Sequence, residues 1–298
     1  MPEAFYVQLT FWGHLCNVGG ISFKRGGEML RLLLRCYVRT TSIPIDMIIT
    51  VITVARNAAW TIGEAVASVA GQTHHAVEHL LIDGASTDNT VNAARAASIR
   101  LTKIVSEPDT GIYDAMNKGL RLATGEVVGF LNADDIYAHT GVLARVAEIM
   151  VANPQIEACY ADLDYVDRNN PDRVIRHWRS AAFVPGLFAR GWVPPHPTVY
   201  FRRSVLDRVG LFDTRYRLAA DFEHLLRAFE VHRVRNIYVP EVWVKMRLGG
   251  ATNRSVKNVL HGNREIADAL RRHRIGWPPF TQACRMLRRV PQFFSRPQ

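Results

Sequence analysis

Three carboxylates in this 298-residue chain sit where an apolar run gives way to small or polar residues: Asp83 in LLIDGASTDNT, Asp134 in VGFLNADDIY and Asp221 in RLAADFEHLLR. An ionised Asp in such a place can accept hydrogen bonds from a base or ribose, ligate a hard cation, or take a proton from a hydroxyl. Open α/β sheets hold ligands in the crevice beyond the carboxyl ends of their strands. Acids at strand ends are therefore expected to outline one site that holds a nucleotide, binds a divalent metal and removes a proton.

Such a site needs strands and helices in alternation. Ile48 to Val54 is a continuous β-branched run, which predicts a strand buried on both faces. Thr61 to Ala70 places Ile62, Ala65, Val66 and Val69 on one helical stripe. His79 to Ile82 predicts a second strand ending at Asp83, GASTDN a turn, and Thr87 or Asp88 a cap for a helix through Val91 and Ala94. Leu101 to Val105 reads as a strand, Ala115 to Leu122 as a helix and Val127 to Leu131 as a fourth strand. Successive βαβ units imply a mostly parallel sheet with right-handed crossovers. No internal repeat interrupts them.

The net charge of +10 is not spread over this patterned region. Residues 251–298 carry 10 Lys/Arg and 2 Asp/Glu, residues 1–46 carry 5 and 3, and residues 47–250 carry 22 of each. A neutral core argues against a nucleic-acid-binding domain, whose basic stripe would lie on the folded body. The tails have a different pattern. Leu30, Leu33, Leu34, Tyr37 and Val38 follow helical spacing beside Arg31, Arg35 and Arg39; Ala283, Met286, Leu287 and Val290 do so beside Arg285, Arg288 and Arg289, with Phe293 and Phe294 beyond. Basic amphipathic helices of this kind either lie in an anionic membrane interface or dock on the core as ordinary terminal helices.

Three segments are therefore expected: an N-terminal extension over 1–46, a catalytic domain over 47–250 and a basic helical tail over 251–298. Met47 opens MIITVITVARN, where the pattern begins, so the extension reads as dispensable or as an upstream start. No run of 18 apolar residues predicts a spanning helix, and the first 20 residues lack the basic start, apolar stretch and cleavage site of a secretory signal. Cys16, Cys36, Cys159 and Cys284 are far apart, which fits reduced thiols in a cytosolic compartment.

VITVARNAAWTIGEAVASVAGQTH, LLIDGASTDNT, EPDTGIYDAMNKGLRLATGE, VGFLNADDIY and PPHPTVYFRRSVLDRVGLFDTRYRLAADFEHLLR, followed by KMRLGGATN, occur in this order. Over residues 47 to 253 the chain thereby resembles the family 2 glycosyltransferases, above all bacterial members that build cell-surface polysaccharides or glycolipids. The resemblance implies the glycosyltransferase type A fold, a Rossmann-like, mostly parallel sheet flanked by helices. It implies a nucleotide-sugar donor, with Asp83 and Arg56 at the nucleotide and Asp109, Tyr113, Asp114 and Asn117 lining the donor pocket. Asn132, Ala133 and Asp134 occupy the family's Asp-x-Asp motif. Its first position is Asn here, which brings no charge, so Asp134 is expected to ligate Mg²⁺ or Mn²⁺ with Asp135 as helper, while Asn132 bonds the donor ribose. Asp221 matches the general base of inverting members, and His196 falls on the acceptor side.

Lys245 and Arg247 precede a Gly pair, where cations on a loop over the diphosphate would help hold the phosphates. Each position also has a purely structural alternative. Asp83 could stabilise its turn, Asp134 and Asp135 could cap the following helix, Asp221 could cap its own, and Lys245 and Arg247 could form a solvated basic loop. Glu223 is the fallback base. The expected function is a metal-dependent, inverting glycosyltransferase at the cytoplasmic face of the membrane, acting on a glycan or lipid-linked acceptor. The competing functions are a sugar nucleotidyltransferase, which ARNAAWTIG disfavours for want of a Gly-rich basic phosphate loop, and a non-catalytic nucleotide-sugar-binding protein of the same fold.

Overall fold

The β-branched run folds as β1 (Ile49–Ala55), buried along its whole length at the centre of the sheet. In the computed structural model, residues 46–98, 100–249 and 256–289 are described, all within a unit spanning Ile45–Gln298. The N-terminal extension with its arginine stripe, and Val290, Phe293 and Phe294, lie outside them.

Alternation then proceeds as the periodicity predicts: α1 (Ile62–Ala70), β2 (Val77–Asp83), α2 (Thr90–Ala97), β3 (Leu101–Ser106), α3 (Ile112–Leu122) and β4 (Val127–Phe130). The cap expected at Thr87 or Asp88 falls on Asn89, but Asp88 accepts the Thr90 N–H at 3.0 Å. Helix α3 starts three residues earlier than the apolar spacing indicates, behind Gly111, whose φ of 148° is open to glycine.

The second half departs from simple alternation. It comprises β5 (Asp135–Tyr137), α4 (Val142–Ala152), β6 (Ala158–Val166), β7 (Val174–Trp178), short 3₁₀ turns at Phe188–Arg190 and His196–Thr198, β8 (Tyr200–Arg202), α5 (Ser204–Val209), α6 (Ala220–Leu226) and β9 (Asn236–Arg247). Two helices follow, α7 (Val256–Arg272) and α8 (Pro278–Arg289). The sheet order is β3-β2-β1-β4-β8-β6-β9-β5, with β7 paired to β6. Six of the nine strands run the same way; β5, β7 and β8 oppose them. The sheet is thus mostly parallel, as expected, and its shared carboxyl edge carries the sequence motifs.

Large apolar clusters cover both faces. One joins Ile52, Phe130, Tyr160 and Phe229 to Ile266, Ala269 and Leu270 of α7; the other joins Val51, Leu143, Leu163 and Trp243. The basic tail is therefore, in its first helix, part of the core packing.

Candidate active site

At the carboxyl end of β2, the Asp83 side chain is fully buried. It accepts the Ser86 backbone N–H at 3.0 Å and the Ser106 hydroxyl at 2.6 Å, and Ser86 Oγ also donates to it. These bonds organise the turn, as in an Asx turn. Asn57, at the end of β1, joins the same knot: its N–H donates to Ser86 Oγ at 2.8 Å and its Oδ1 accepts from the Thr87 N–H at 2.9 Å. Asn57 and Ala85 both have positive φ, 51° and 53°, and Asn tolerates that region better than Ala does. A side chain at Gly84 would collide with the Asp109 carboxylate and meet Arg56 Cδ at 3.4 Å. Gly84 thus leaves room for the two residues expected at the nucleotide to face each other across bare backbone.

Asn117 is used differently. Its amide donates to the Phe212 carbonyl and accepts the Phe212 N–H, both at 2.9 Å, and is buried. Both polar ends of the amide thus tie α3 to the segment that leads to α6.

Beyond β4, Asn132 and Asp135 form a tight turn. Asn132 Nδ2 donates to Asp135 Oδ2 at 3.0 Å, and the Asp135 N–H donates to the Asn132 carbonyl at 3.1 Å. Asp135 opens β5, so it does not cap a helix; the next helix starts at Val142. Burial, with the neighbouring Asp134 charge adding to it, pushes the Asp135 carboxyl well above the usual carboxylate range, against opposing contributions from Asn132 and Arg247. Asn132 Oδ1 and Asp135 Oδ1 are buried with no hydrogen-bond partner. Orphaned buried oxygens call for a partner.

Strand β9 supplies the cations. Its antiparallel register with β5 sets Met246 opposite Asp135 and Lys245 opposite Ile136, which brings Arg247 to the turn. Arg247 is 4% exposed, donates to the Asp134 carbonyl at 3.0 Å and is ion-paired with Glu64 of α1. It is not the solvated alternative. Lys245 pairs with the exposed Asp172 at 3.0 Å and keeps a partly exposed ammonium.

On the other side of β4, Asp221 lies in the first turn of α6 without capping it. The backbone N–H groups of Arg217, Leu218 and Ala219 donate to Glu265 of α7 at 2.7, 2.8 and 2.9 Å. Glu265 thus anchors the segment that enters α6, and Asp221, which makes no cap bond, faces Tyr113, whose hydroxyl donates to its Oδ1 at 3.0 Å. Burial first, then the Asp221 charge, holds the Tyr113 hydroxyl well above its ordinary pKa, so it remains a donor. His196 packs between Phe130 and Phe212, with ring centroids 5.3 and 5.7 Å away. Burial lowers its pKa while the Asp221 charge works the other way, which places the imidazole beside the candidate base.

The fallback base is tied up. Glu223 is buried and bonded to Arg227 at 2.9 Å and His273 at 2.8 Å; burial alone would raise its carboxyl, but the bonds from these two side chains outweigh it and leave it lowered. Sequence reasoning missed Glu64, Glu265 and the Asn57–Ser86 bridge, because each acts on a residue far along the chain. Only Asn57 left a local signal, as an Asn just after a buried strand.

Among the described residues, no three His, Cys, Asp or Glu side chains converge into a ready-made metal cage. The buried polar atoms without a partner in this turn are oxygens, Oδ1 of Asn132 and Oδ1 of Asp135, on either side of Asp134 in the chain. Such a set fits a hard divalent cation that takes further ligands from substrate phosphates and water.

The sheet, with the candidate acids along its carboxyl edge, is a Rossmann-like α/β domain. The family model for glycosyl transferase family 2 matches residues 50–210, and the chain belongs to that family. Among curated relatives, a PGL/p-HBAD biosynthesis glycosyltransferase of Mycobacterium bovis is 33% identical over 165 residues, which cover 54% of this chain and 62% of that protein. An uncharacterized glycosyltransferase of Mycobacterium tuberculosis is 29% identical over 185 residues, 60% of this chain and 68% of that one. Among solved structures, S. aureus TarS in complex with UDP-GlcNAc superposes with a TM-score of 0.59 at 19% identity, covering 75% of this chain and 66% of that one. The mannosyltransferase PcManGT from Pyrobaculum calidifontis, in complex with GDP-Man and Mn2+, gives 0.58 at 22% identity, covering 96% and 81%. These likenesses establish the glycosyltransferase type A fold.

Proposed function

We propose that the protein is a metal-dependent, inverting glycosyltransferase that moves a sugar from a nucleotide-sugar to a hydroxyl of a lipid-linked glycan acceptor, in cell-surface polysaccharide or glycolipid synthesis. The observation that carries this reading is the Asp221 carboxylate, which makes no cap bond, accepts the Tyr113 hydroxyl and acts by its charge on His196. In a single displacement the acceptor oxygen attacks the anomeric carbon as its proton passes to Asp221, and the bond to the diphosphate breaks with its electron pair leaving on the phosphate. Tyr113 fixes the orientation of the carboxylate through Oδ1, which leaves Oδ2 for the acceptor.

On the donor side, Arg56 and Asp109 stand at the nucleotide, Asp83 holds their floor, and Lys245 and Arg247 face the diphosphate. A divalent cation held by Asp134, with Asn132 and Asp135 completing the set, would supply charge neutralisation for the departing nucleoside diphosphate. The complexes of TarS with UDP-GlcNAc and of PcManGT with GDP-Man and Mn2+ support a donor and a metal of these classes.

The tail supports a membrane-facing location. The α8 residues Phe280, Met286 and Leu287, with Trp277 just before them, are 54%, 64%, 70% and 68% exposed, so the apolar stripe faces solvent while Thr281 is buried against Ala189. No helix among the described residues is long and apolar enough to cross a membrane. An outward apolar stripe suits a peripheral position at the cytoplasmic leaflet, with Arg285 stacked on Phe222 and Arg288 bonded to the Arg190 carbonyl holding the opposite side of α8 on the core.

The test is a calorimetric screen of UDP-, GDP- and dTDP-sugars with and without Mn²⁺. One donor class is expected to bind in a metal-dependent way, and Asp134→Ala to lose that dependence while its melting temperature stays unchanged. Undiminished turnover of Asp134→Ala in chelator would sink the metal assignment.

A further inference from the structure

A cleft of about 610 Å³ opens between α7 and the segment that leads to Asp221, lined by Arg217, Leu218, Lys257, Leu260, His261 and Arg264. Its cations are uncompensated. Arg217, Lys257 and Arg264 have no acidic partner among the described residues. The one acid beside them, Glu265, is buried and taken by three backbone N–H groups and His261. Three exposed, permanent positive charges that share a cavity attract a multiply charged anion, and guanidinium groups favour phosphate. Leu218 and Leu260 give the cavity an apolar wall, and Leu260 and Val259 continue it onto the exposed face of α7 at 55% and 39% exposure. Among the described residues no Phe, Tyr or Trp lines the cleft. The chemistry that fits is a phosphate joined to an aliphatic chain.

The position of the cleft gives that phosphate a purpose. Arg217 and Leu218 are cleft walls and also two of the three residues whose N–H groups are held by Glu265, and the chain enters α6 and reaches Asp221 three residues beyond Leu218. Helix α8 is joined to α7 through the Gln282 side chain and the Asn263 carbonyl at 2.6 Å. We propose that this cleft binds the phosphate of the acceptor lipid, with the chain running along Leu218, Leu260 and Val259 and the glycan directed toward Asp221. The proposal rests on the reading that the acceptor is lipid-linked and adds the group by which the lipid is recognised.

The experiment is vesicle sedimentation of the full chain at low salt, comparing wild type with the triple variant Arg217→Gln, Lys257→Gln, Arg264→Gln. Neutral phosphatidylcholine vesicles are doped either with a polyprenyl phosphate or with phosphatidylglycerol at equal charge, and inorganic phosphate serves as soluble competitor. Near-surface basic residues each contribute roughly a five- to tenfold factor, so the triple variant is expected to bind polyprenyl phosphate vesicles about 10²-fold more weakly. The three residues are exposed, so its melting temperature should match wild type. Phe280→Ser with Leu287→Ser should weaken binding to every vesicle alike. Equal binding by wild type and triple variant overturns the proposal. Equal loss on phosphatidylglycerol assigns the cleft to bulk lipid and overturns its acceptor role; full displacement by inorganic phosphate at matched concentration overturns the part given to the chain. Donor binding measured without lipid is read separately, so a failed donor screen sinks the transferase reading without touching the vesicle result.

Discussion

At the scale of single residues, the site works by keeping carboxylates apart in task. Asp83 is consumed by its turn, Asp135 is bonded to Asn132, Glu223 is held by Arg227 and His273, and Asp221 accepts the Tyr113 hydroxyl through one oxygen. Asp221→Asn preserves shape and the bond from Tyr113 but cannot take the acceptor proton. Turnover is expected to fall by about 10² to 10⁴-fold, the size of a general-base contribution, with donor affinity retained. Initial rates and calorimetry measure the two; unchanged turnover, or a product that keeps the donor's anomeric configuration, would remove Asp221 from this role. That Asp134 and Asp221 were the acids to consider was legible from the motifs. That Asp83 would be enclosed by Ser86 and Ser106 was not, because a buried carboxylate and an exposed one look alike at the end of a strand.

At the scale of elements, α7 reaches across to set up α6. Glu265 satisfies three backbone donors of the segment Arg217, Leu218 and Ala219, the last of them the N-cap of the helix that bears Asp221. Glu265→Ala strands those donors, and a loss of about 1–3 kcal/mol in stability is expected. Because α6 carries Asp221 and the donor site is built on other elements, kcat should fall while donor affinity holds. Denaturant unfolding and a kcat-against-donor-affinity split check both; equal loss of donor binding would mean general unfolding instead of local positioning. The α7 helix itself was readable from its spacing only as a tail of uncertain attachment. Its apolar face meets residues more than 40 positions away, and the partner of a helical stripe is not written in the stripe.

At the scale of the whole molecule, the buried histidines link stability to pH. Burial lowers His79 to about 4, and the ring meets Thr53 Oγ1 at 2.9 Å in the middle of the sheet. Between about pH 6.5 and 4 the unfolded chain binds a proton that folded His79 refuses, so its contribution to stability is lost as pH falls through that window. His79→Gln cannot titrate there and can still bond Thr53. It is expected to flatten the loss between pH 7.5 and 5 by about 2 kcal/mol relative to wild type. Urea unfolding at both pH values measures the difference, and an unchanged slope would assign the acid sensitivity elsewhere.

The sequence by itself determined the first half of the sheet and the family, because continuous β-branched runs, helical stripes and strand-end motifs are local signals. Tertiary structure decided the antiparallel insertions of β5, β7 and β8, whose strands are short or carry polar residues that only a particular neighbour accommodates. It also decided which acids are engaged and which face of the tail looks outward. Ala283, Met286 and Leu287 read in the sequence as a stripe for either a membrane interface or the core, and Thr281 on the opposite side is the residue buried against Ala189. The reason is geometric: Gly191 and Gly276 allow the polar side of α8 to approach the Phe188–Arg190 turn more closely than any side chain at either glycine would permit.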